Sequence, residues 1–139
     1  MTVTLSPYLN FAGEARAALD FYHSVFGGEA ASDTFATGGM PHEEQDAEKL
    51  MHAQITAPSG FVLMLSDIPS TMPQPTGDRA FSVSLSGDDA DTLRGYWEGL
   101  TEGGQVVEPL VQAPWGDYFG MLVDRFGVSW MVNISAPAA

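Results

Sequence analysis

The chain has 139 residues, no cysteine and a net charge of −13, with 18 acidic residues against five basic ones. This length supports one compact domain, and the lack of cysteine excludes disulfides, thiolate metal sites and cysteine nucleophiles. The shortage of Lys and Arg argues against nucleic acid and anionic membranes as partners.

The first half of the chain predicts the order strand, helix, strand, strand, strand. Residues 3–11 alternate apolar side chains and predict a strand, and residues 13–26 carry apolar side chains at helical spacing. Gly27 and Gly28 are expected to end the helix because glycine tolerates the left-handed cap conformation. Residues 29–35 predict a second strand, before a polar loop. Two further strands, residues 50–57 and 61–67, are predicted to form a hairpin.

The second half of the chain predicts the same order again. Residues 68–78 contain three prolines and one glycine, which is typical of a linker. A strand around Val83 and a helix with a stripe of apolar residues follow, and three more strands are predicted near residues 105–112, 118–124 and 128–134. We therefore expect one domain over residues 1–139. Its module 1 covers about residues 1–68 and its module 2 about residues 79–135.

The two halves also share a residue pattern. Residues 10–14 match residues 84–88 at a shift of 74, and residues 55–64 match residues 122–131 at a shift of 67. A duplication of this size predicts two similar modules about a pseudo-twofold axis. A site on that axis takes residues from equivalent positions in both halves.

Eight short motifs, spread over nearly the whole chain, carry a family resemblance. They are residues 7–11 (PYLNF), 21–22 (FY), 26–28 (FGG), 51–53 (MHA), 66–67 (SD), 82–85 (SVSL), 114–117 (PWGD) and 124–130 (DRFGVSW). The chain resembles the vicinal oxygen chelate superfamily of glyoxalase I, extradiol dioxygenases and bleomycin-resistance proteins, and in particular its PhnB-like branch. The resemblance implies an α+β fold with two tandem βαβββ modules, a curled mixed sheet around a cleft, and a homodimer.

Metal-dependent members of this superfamily place their ligands on the first and last strands of each module. An alignment on Phe21, Tyr22 and Gly127 identifies the four corresponding positions here. They are Pro7, Met64, Phe81 and Met131. None of these suits a hard or borderline divalent metal, because the methionine thioether binds only soft ions such as Cu(I). We therefore expect no metal site of the superfamily type and no cofactor.

Regular strand alternation predicts a mostly apolar lining for the expected cleft. The predicted apolar residues are Leu9, Phe11, Val62, Met64, Phe81, Val83 and Met131, and the polar ones are Ser66, Ser129 and Asn133. Such a lining favours a flat or apolar organic ligand, since binding pockets are mainly apolar with a few orienting polar groups. The alternative is that these side chains fill a collapsed core or a dimer interface.

The segment from Pro114 to Tyr118 is the candidate loop for ligand contact. Trp115 and Tyr118 offer large aromatic surfaces for stacking, between a proline and a glycine that shape the backbone. The alternative is that Trp115 only covers the sheet edge or a dimer interface.

Three residues are weak catalytic candidates. His52 lies in a predicted strand, and imidazole is the side chain suited to proton transfer near neutral pH. No relay partner is identified in the sequence, so a structural hydrogen-bonding role is the alternative. Asp67 and Asp117 are the other two candidates. Fingerprints for dinucleotides, nucleoside triphosphates and a serine nucleophile elbow are absent from the sequence.

The leading functional hypothesis is metal-independent binding of an apolar or aromatic small molecule in the cleft. The alternative is a metal-dependent or acid–base enzyme of the glyoxalase and dioxygenase class that uses non-standard residues, so an enzymatic activity stays open. A third possibility is a structural or regulatory dimer without ligand. No apolar run reaches the roughly 20 residues that span a bilayer, and the N-terminus lacks signal-peptide features. We expect a cytoplasmic homodimer.

Overall fold

The computed structural model describes residues 4–39, 41–74 and 81–136. The chain forms two compact units, Met1–Thr76 and Gly77–Ala139. Each unit has the element order βαβββ and its own four-stranded mixed sheet, which is not closed. The predicted α+β fold with two βαβββ modules is confirmed.

Unit 1 contains one helix and one sheet. Its elements are β1 (Tyr8–Phe11), α1 (Ala15–Phe26), β2 (Glu29–Thr34), β3 (Leu50–Thr56) and β4 (Val62–Asp67). The strand order is β1-β4-β3-β2, in which β1 runs parallel to β4 and the other neighbours are antiparallel. A short 3₁₀ turn, Glu44–Asp46, lies in the loop between β2 and β3.

Unit 2 repeats this topology. Its elements are β5 (Val83–Gly87), α2 (Ala90–Thr101), β6 (Gln105–Gln112), β7 (Tyr118–Val123) and β8 (Ser129–Ile134). The strand order is β5-β8-β7-β6, with β5 parallel to β8. The strand β6 is an edge strand, and its register with β7 shifts at two irregular points.

The core of each unit lies between its helix and one face of its sheet. In unit 1, α1 buries Leu19 and Tyr22 on the side where Leu65 and Ile55 are also buried. In unit 2, Leu100 of α2 and Trp130 of β8 are buried. Each fully buried side chain of this size contributes about 1.5–3 kcal/mol, so the apolar stripes of the helices fix which face of each sheet is covered.

Two glycines bring the chain after each helix close to a strand. Gly28 has a φ of +79°, and a Cβ there would meet the carbonyl oxygen of Thr56. A Cβ on Gly104 would meet the carbonyl oxygen of Val123 in the same way. The close approach of helix exit and strand is therefore repeated in both units, and it requires glycine.

The bounds of some predicted segments differ from the structure. The first strand begins at Tyr8 rather than at residue 3, which lies outside the described residues. Residues 75–78 of the predicted linker also lie outside them. Among the described residues, no helix has the length and apolarity needed to span a membrane.

Candidate functional site

Each sheet has a second face that carries no helix of its own unit, which we call its helix-free face. On unit 1 this face is centred on Met64, whose neighbours across the sheet are Tyr8 on β1 and Gln54 on β3. The Met64 side chain is half-buried. Strand alternation places the following residues on the same face: Tyr8, Asn10, His52, Gln54, Val62, Met64 and Ser66.

Tyr8 and His52 form a polar contact on the helix-free face of unit 1. The Tyr8 hydroxyl lies 3.2 Å from His52 Nδ1, and the two ring centroids are 5.8 Å apart. Nearby, the Ser66 hydroxyl donates to Asn10 Oδ1 at 3.4 Å. His52 therefore has a hydrogen-bonding neighbour on this face, the hydroxyl of Tyr8. The face combines an apolar centre with polar side chains around it.

The helix-free face of unit 2 is centred on Met131. Its neighbours across the sheet are Ser84 on β5 and Met121 on β7. The next pair along the same strands is Phe119 and Asn133. Strand alternation places the following residues on this face: Ser84, Ser86, Phe119, Met121, Val123, Ser129, Met131 and Asn133.

Trp115 lies next to this face in a hydrogen-bonded loop. Its ring centroid is 6.3 Å from that of Phe119, while 66% of Trp115 stays exposed. The loop is closed by hydrogen bonds from Ala113 N to the Asp117 carbonyl at 2.7 Å and from Gly116 N to the Ala113 carbonyl at 2.9 Å. An exposed indole is therefore held by an ordered backbone, which lowers the entropy cost of stacking a ligand against it.

The structure places three predicted lining residues, Leu9, Phe11 and Val83, on the opposite face of their strands. Leu9 and Phe11 are 1% and 3% exposed, on the helix side of the sheet, because Leu9 pairs with Leu65 and not with Met64. Val83 pairs with the buried Trp130 in the same way. The first strand of each unit is thus out of phase with the prediction by one residue. This shift moves every side chain to the opposite face.

Tyr118 and Phe81 also differ from the predicted arrangement. The Tyr118 ring lies under the guanidinium of Arg94 on α2, at 4.9 Å, so it belongs to the helix side of unit 2. Phe81 precedes β5, outside any strand, and is 56% exposed. The other predicted lining residues lie on or beside the helix-free faces, namely Val62, Met64, Ser66, Trp115, Ser129, Met131 and Asn133.

Sequence reasoning missed Tyr8, Phe119 and Met121 as residues of these faces. A usable signal existed for Met121, because it is related to Gln54 by the same shift of 67 that relates Met131 to Met64. Both Gln54 and Met121 lie directly opposite those methionines. For Tyr8 the signal was its position one residue before Leu9, on the other face of the same strand.

The two candidate carboxylates are engaged in structural hydrogen bonds. Asp67 is buried and accepts from the backbone N–H groups of Gly13, Ala15 and Leu50. Asp117 accepts from the backbone N–H of Ala136 and from the Asn133 amide. These two hydrogen bonds, that of Ala136 first, lower the pKa of Asp117. Both carboxylates therefore accept hydrogen bonds from backbone N–H groups of other segments.

A third carboxylate, Asp124, was not among the predicted site residues. It is buried, as Asp67 is. It accepts from the Trp130 indole N–H at 2.8 Å and from the backbone N–H groups of Phe126 and Val128. The Asp-Arg-Phe-Gly-Val-Ser-Trp motif thus has a structural explanation, since Asp124 closes the β7–β8 turn onto Trp130.

The residues at the superfamily's metal positions do not form a site for a hard or borderline cation. Pro7 accepts a backbone hydrogen bond of 3.0 Å from Met64, so these two positions adjoin as the resemblance requires. At these positions Pro7 has a pyrrolidine ring and Met64 a thioether, in place of a nitrogen or oxygen ligand. In unit 2 the β5 neighbour of Met131 is Ser84, three residues after Phe81. Within residues 4–39, 41–74 and 81–136, no three His, Asp or Glu side chains converge to hold a metal.

Comparison with known proteins identifies relatives over nearly the whole chain. A family model, Glyoxalase/Bleomycin resistance protein/Dioxygenase superfamily, matches residues 4–132. Protein YjdN of Escherichia coli K12 is 26% identical, over 94% of each chain.

Solved structures agree with this assignment. The crystal structure of protein PA1353 from Pseudomonas aeruginosa is 36% identical, with a TM-score of 0.82 over 98% of this chain and all of that one. A Bacillus cereus structure, a putative 3-demethylubiquinone-9 3-methyltransferase, PhnB protein, is 24% identical and has a TM-score of 0.73 over 96% of this chain and all of that one. At that identity the likeness shows the fold alone.

Proposed function

This chain belongs to the glyoxalase/bleomycin resistance protein/dioxygenase superfamily, and on that premise we propose that it binds an apolar or aromatic small molecule without a metal ion. In each unit the proposed binding surface is the helix-free face of its sheet. The protein is PhnB-like in fold, and no methyltransferase activity is transferred to it.

One observation carries the proposal. Met64 and Met131 occupy equivalent positions in the duplicated sequence, and each is half-buried at the centre of the helix-free face of its unit. Unbranched thioether side chains adapt to irregular ligand shapes and make favourable contacts with aromatic rings. Two equivalent faces, each with a methionine at its centre, suit a flat apolar ligand better than a polar one.

The polar groups around the two methionines supply orientation. The Tyr8 hydroxyl and His52 lie beside Met64, and Ser84 adjoins Met131. Trp115 adds an exposed ring at the edge of unit 2. An apolar surface with a few placed hydrogen-bonding groups has the composition of small-molecule binding sites in general.

A dye titration and a metal screen test the proposal together. We expect saturable binding of the neutral aromatic dye N-phenyl-1-naphthylamine in the presence of EDTA. We expect Met131→Gln to weaken that binding about tenfold, because it places a polar amide in the apolar centre. Met72→Gln, at an exposed methionine outside the strands, is the control and leaves binding unchanged.

The metal screen measures the melting temperature of the protein. A ligand that binds only the folded protein raises its melting temperature by mass action. We expect Zn²⁺, Ni²⁺, Mn²⁺ and Fe²⁺ at micromolar concentration to leave the melting temperature unchanged. Stabilisation by one of them that EDTA reverses contradicts the metal-independent proposal.

A second candidate function rests on the Tyr8–His52 contact. Within the described residues, the second ring nitrogen of His52 has no hydrogen-bond partner, and Tyr8 is 45% exposed. This pair is arranged for acid–base chemistry on a bound ligand. The enzyme hypothesis predicts that His52→Gln abolishes turnover of a ligand while the Kd of that ligand stays within a few fold. The binding hypothesis predicts no turnover in either protein.

The proposal also includes a cytoplasmic homodimer. The family resemblance supports the proposed dimer. The acidic, cysteine-free composition supports the cytoplasmic location. Sedimentation equilibrium of the purified chain measures the first, and a molecular mass near 14.9 kDa would contradict it.

A further inference from the structure

Unit 2 carries a groove on the helix side of its sheet, between α2 and the edge strand β6. Its volume is about 210 Å³. It is lined by Arg94, Trp97, Glu98, Val106, Pro109 and Leu110. Trp97 lies on the same side of the β7 strand as Tyr118, whereas Met131 faces the other side of the sheet. The groove is therefore separate from the surface proposed above.

Gly120 creates the space that seats the indole of Trp97. A Cβ at Gly120 would lie 2.7 Å from Trp97 Cη2 and 2.9 Å from the Cα of Leu110. Gly120 is buried in β7, so the Trp97 ring lies directly against the sheet backbone. The shift of 67 relates Gly120 to Ala53 in unit 1. The missing Cβ is therefore particular to unit 2 and is not a product of the duplication.

The edge strand β6 adds the opposite wall. Its register with β7 shifts between Val106 and Glu108 and again between Glu108 and Val111. Bulges at sheet edges redirect side chains, and they are frequent beside functional sites. Pro109 has no N–H to offer to another strand, which disfavours extension of the sheet at this edge. The wall is thus suited to a small ligand more than to an added strand.

Two opposite charges flank the groove on one face of α2. Arg94 lies over the Tyr118 ring at 4.9 Å and forms no ion pair with any described carboxylate, although the chain has a net charge of −13. Glu98 follows Arg94 by four residues, which places both side chains on the same side of the helix. A cation and an anion therefore stand side by side above an apolar floor.

We propose that this groove binds a small zwitterion with an apolar body, of the size of a single amino acid. The ligand carboxylate pairs with the planar guanidinium of Arg94, which suits bidentate recognition. The ligand ammonium pairs with Glu98, and the apolar body packs on Trp97 and Leu110. The volume of about 210 Å³ lies below the roughly 300–1,000 Å³ of drug-sized pockets and matches a ligand of this size.

Amide and side-chain N–H NMR spectra of the full chain test this site, with L-phenylalanine as the probe. A ligand of about a dozen non-hydrogen atoms is expected to bind with a Kd on the order of 1 mM. The titration therefore extends to about tenfold above that value. We expect saturable shifts of the Trp97 indole N–H and of the α2 and β6 amides.

Two analogues of the ligand and three variants of the protein test the contribution of each charged group. 3-Phenylpropionate lacks the ammonium and phenethylamine lacks the carboxylate, and each is expected to bind at least about threefold more weakly. Arg94→Gln is expected to weaken L-phenylalanine binding about tenfold, and Glu98→Gln about threefold. Arg16→Gln, at an exposed arginine on α1, is the matched control and leaves the Kd unchanged.

Several results would overturn the proposal. These are the absence of saturable shifts, shifts confined to the strand residues around Met131, or an equal effect of Arg16→Gln and Arg94→Gln. Binding of 3-phenylpropionate as tight as that of L-phenylalanine refutes the zwitterion assignment. Because Arg94 and Glu98 are exposed, their variants keep the fold, and the spectrum without ligand verifies this.

Discussion

The Oδ1 atom of Asp67 accepts a hydrogen bond of 3.0 Å from the backbone N–H of Ala15, the first residue of α1. The same atom accepts from Gly13 N at 2.7 Å, and Oδ2 accepts from Leu50 N at 3.1 Å. Glu14, at the N-cap position, makes no capping hydrogen bond with its own side chain. The last residue of β4 therefore caps the helix and joins it to β3.

This arrangement predicts a large loss of stability when the Asp67 carboxylate is removed. Asp67→Ala leaves three backbone N–H groups without their acceptor and is expected to lower the free energy of unfolding by about 3 kcal/mol. Urea unfolding followed by circular dichroism measures this change. Asp20→Ala, at an exposed position of α1, is the control and stays within about 0.5 kcal/mol. An unchanged midpoint for Asp67→Ala would return this residue to the catalytic candidates.

Asp46 predicts a pH-dependent contribution to stability. Its side chain is buried, and its pKa lies below the usual value of 3.8, first because of the hydrogen bond from Lys49 and then because of those from Ser70. A carboxyl whose pKa is lower in the folded than in the unfolded state stabilises the fold fully above the unfolded pKa. That stabilisation is lost as the pH falls through the folded pKa.

The matching experiment compares wild type with Asp46→Asn over a pH series. We expect wild type to be the more stable at neutral pH, and the difference to narrow as the pH falls below 3.8. Lys49→Met is expected to reduce the same pH dependence, because it removes the main cause of the lowered pKa. A difference that stays constant with pH would contradict the role assigned to Asp46.

Replacement of glycine by alanine is expected to have opposite effects on stability at Gly28 and at Gly95. Gly28→Ala forces a Cβ against the Thr56 carbonyl at a positive φ, and we expect a loss of roughly 3 kcal/mol or more in the free energy of unfolding. Gly95 lies inside α2 with open space around it, so Gly95→Ala is expected to stabilise by about 0.5–1 kcal/mol. Chemical denaturation of both variants measures the pair. A neutral Gly28→Ala would mean that the helix exit moves freely away from β3.

Trp115 predicts a loss of binding without a loss of stability. Because the indole is 66% exposed, Trp115→Ala is expected to change the free energy of unfolding by less than about 1 kcal/mol. Its stacking surface is removed, however, and dye affinity is expected to fall roughly fivefold. Titration with N-phenyl-1-naphthylamine measures the affinity, and Met72→Ala serves as an exposed apolar control. Equal affinities for Trp115→Ala and wild type would assign the indole to another surface.

The positions of the elements were largely predictable from local sequence. The strand near residues 105–112 coincides with β6, and the predicted hairpin of residues 50–57 and 61–67 coincides with β3 and β4 to within one residue. These predictions rest on alternation and on turn residues, which are local features of a few neighbouring residues along the chain. The first strand of unit 1 was predicted too long because residues 4–7 carry the same alternation but form no strand.

The face of each first strand could not be predicted in the same way. Leu9 and Tyr8 are both apolar enough to line a ligand surface, and the sequence alone favoured Leu9. The choice depends on the pairing of Tyr8 with Met64 and on the helix that covers Leu9, which are contacts between distant segments. Side chains alternate between the two faces of a strand, so the sequence pattern alone does not tell which set faces the helix. The strand register decides this.

The sequence by itself determined the duplicated βαβββ order, the family, and the thioether and ring side chains at the superfamily's metal positions. Only the tertiary structure decided the use of each polar group. It assigned Asp67 to the start of α1, Asp124 to the Trp130 indole and Arg94 to the Tyr118 ring. The physical reason is that a buried carboxylate must find hydrogen-bond donors, and those donors come from chain segments up to 54 residues away.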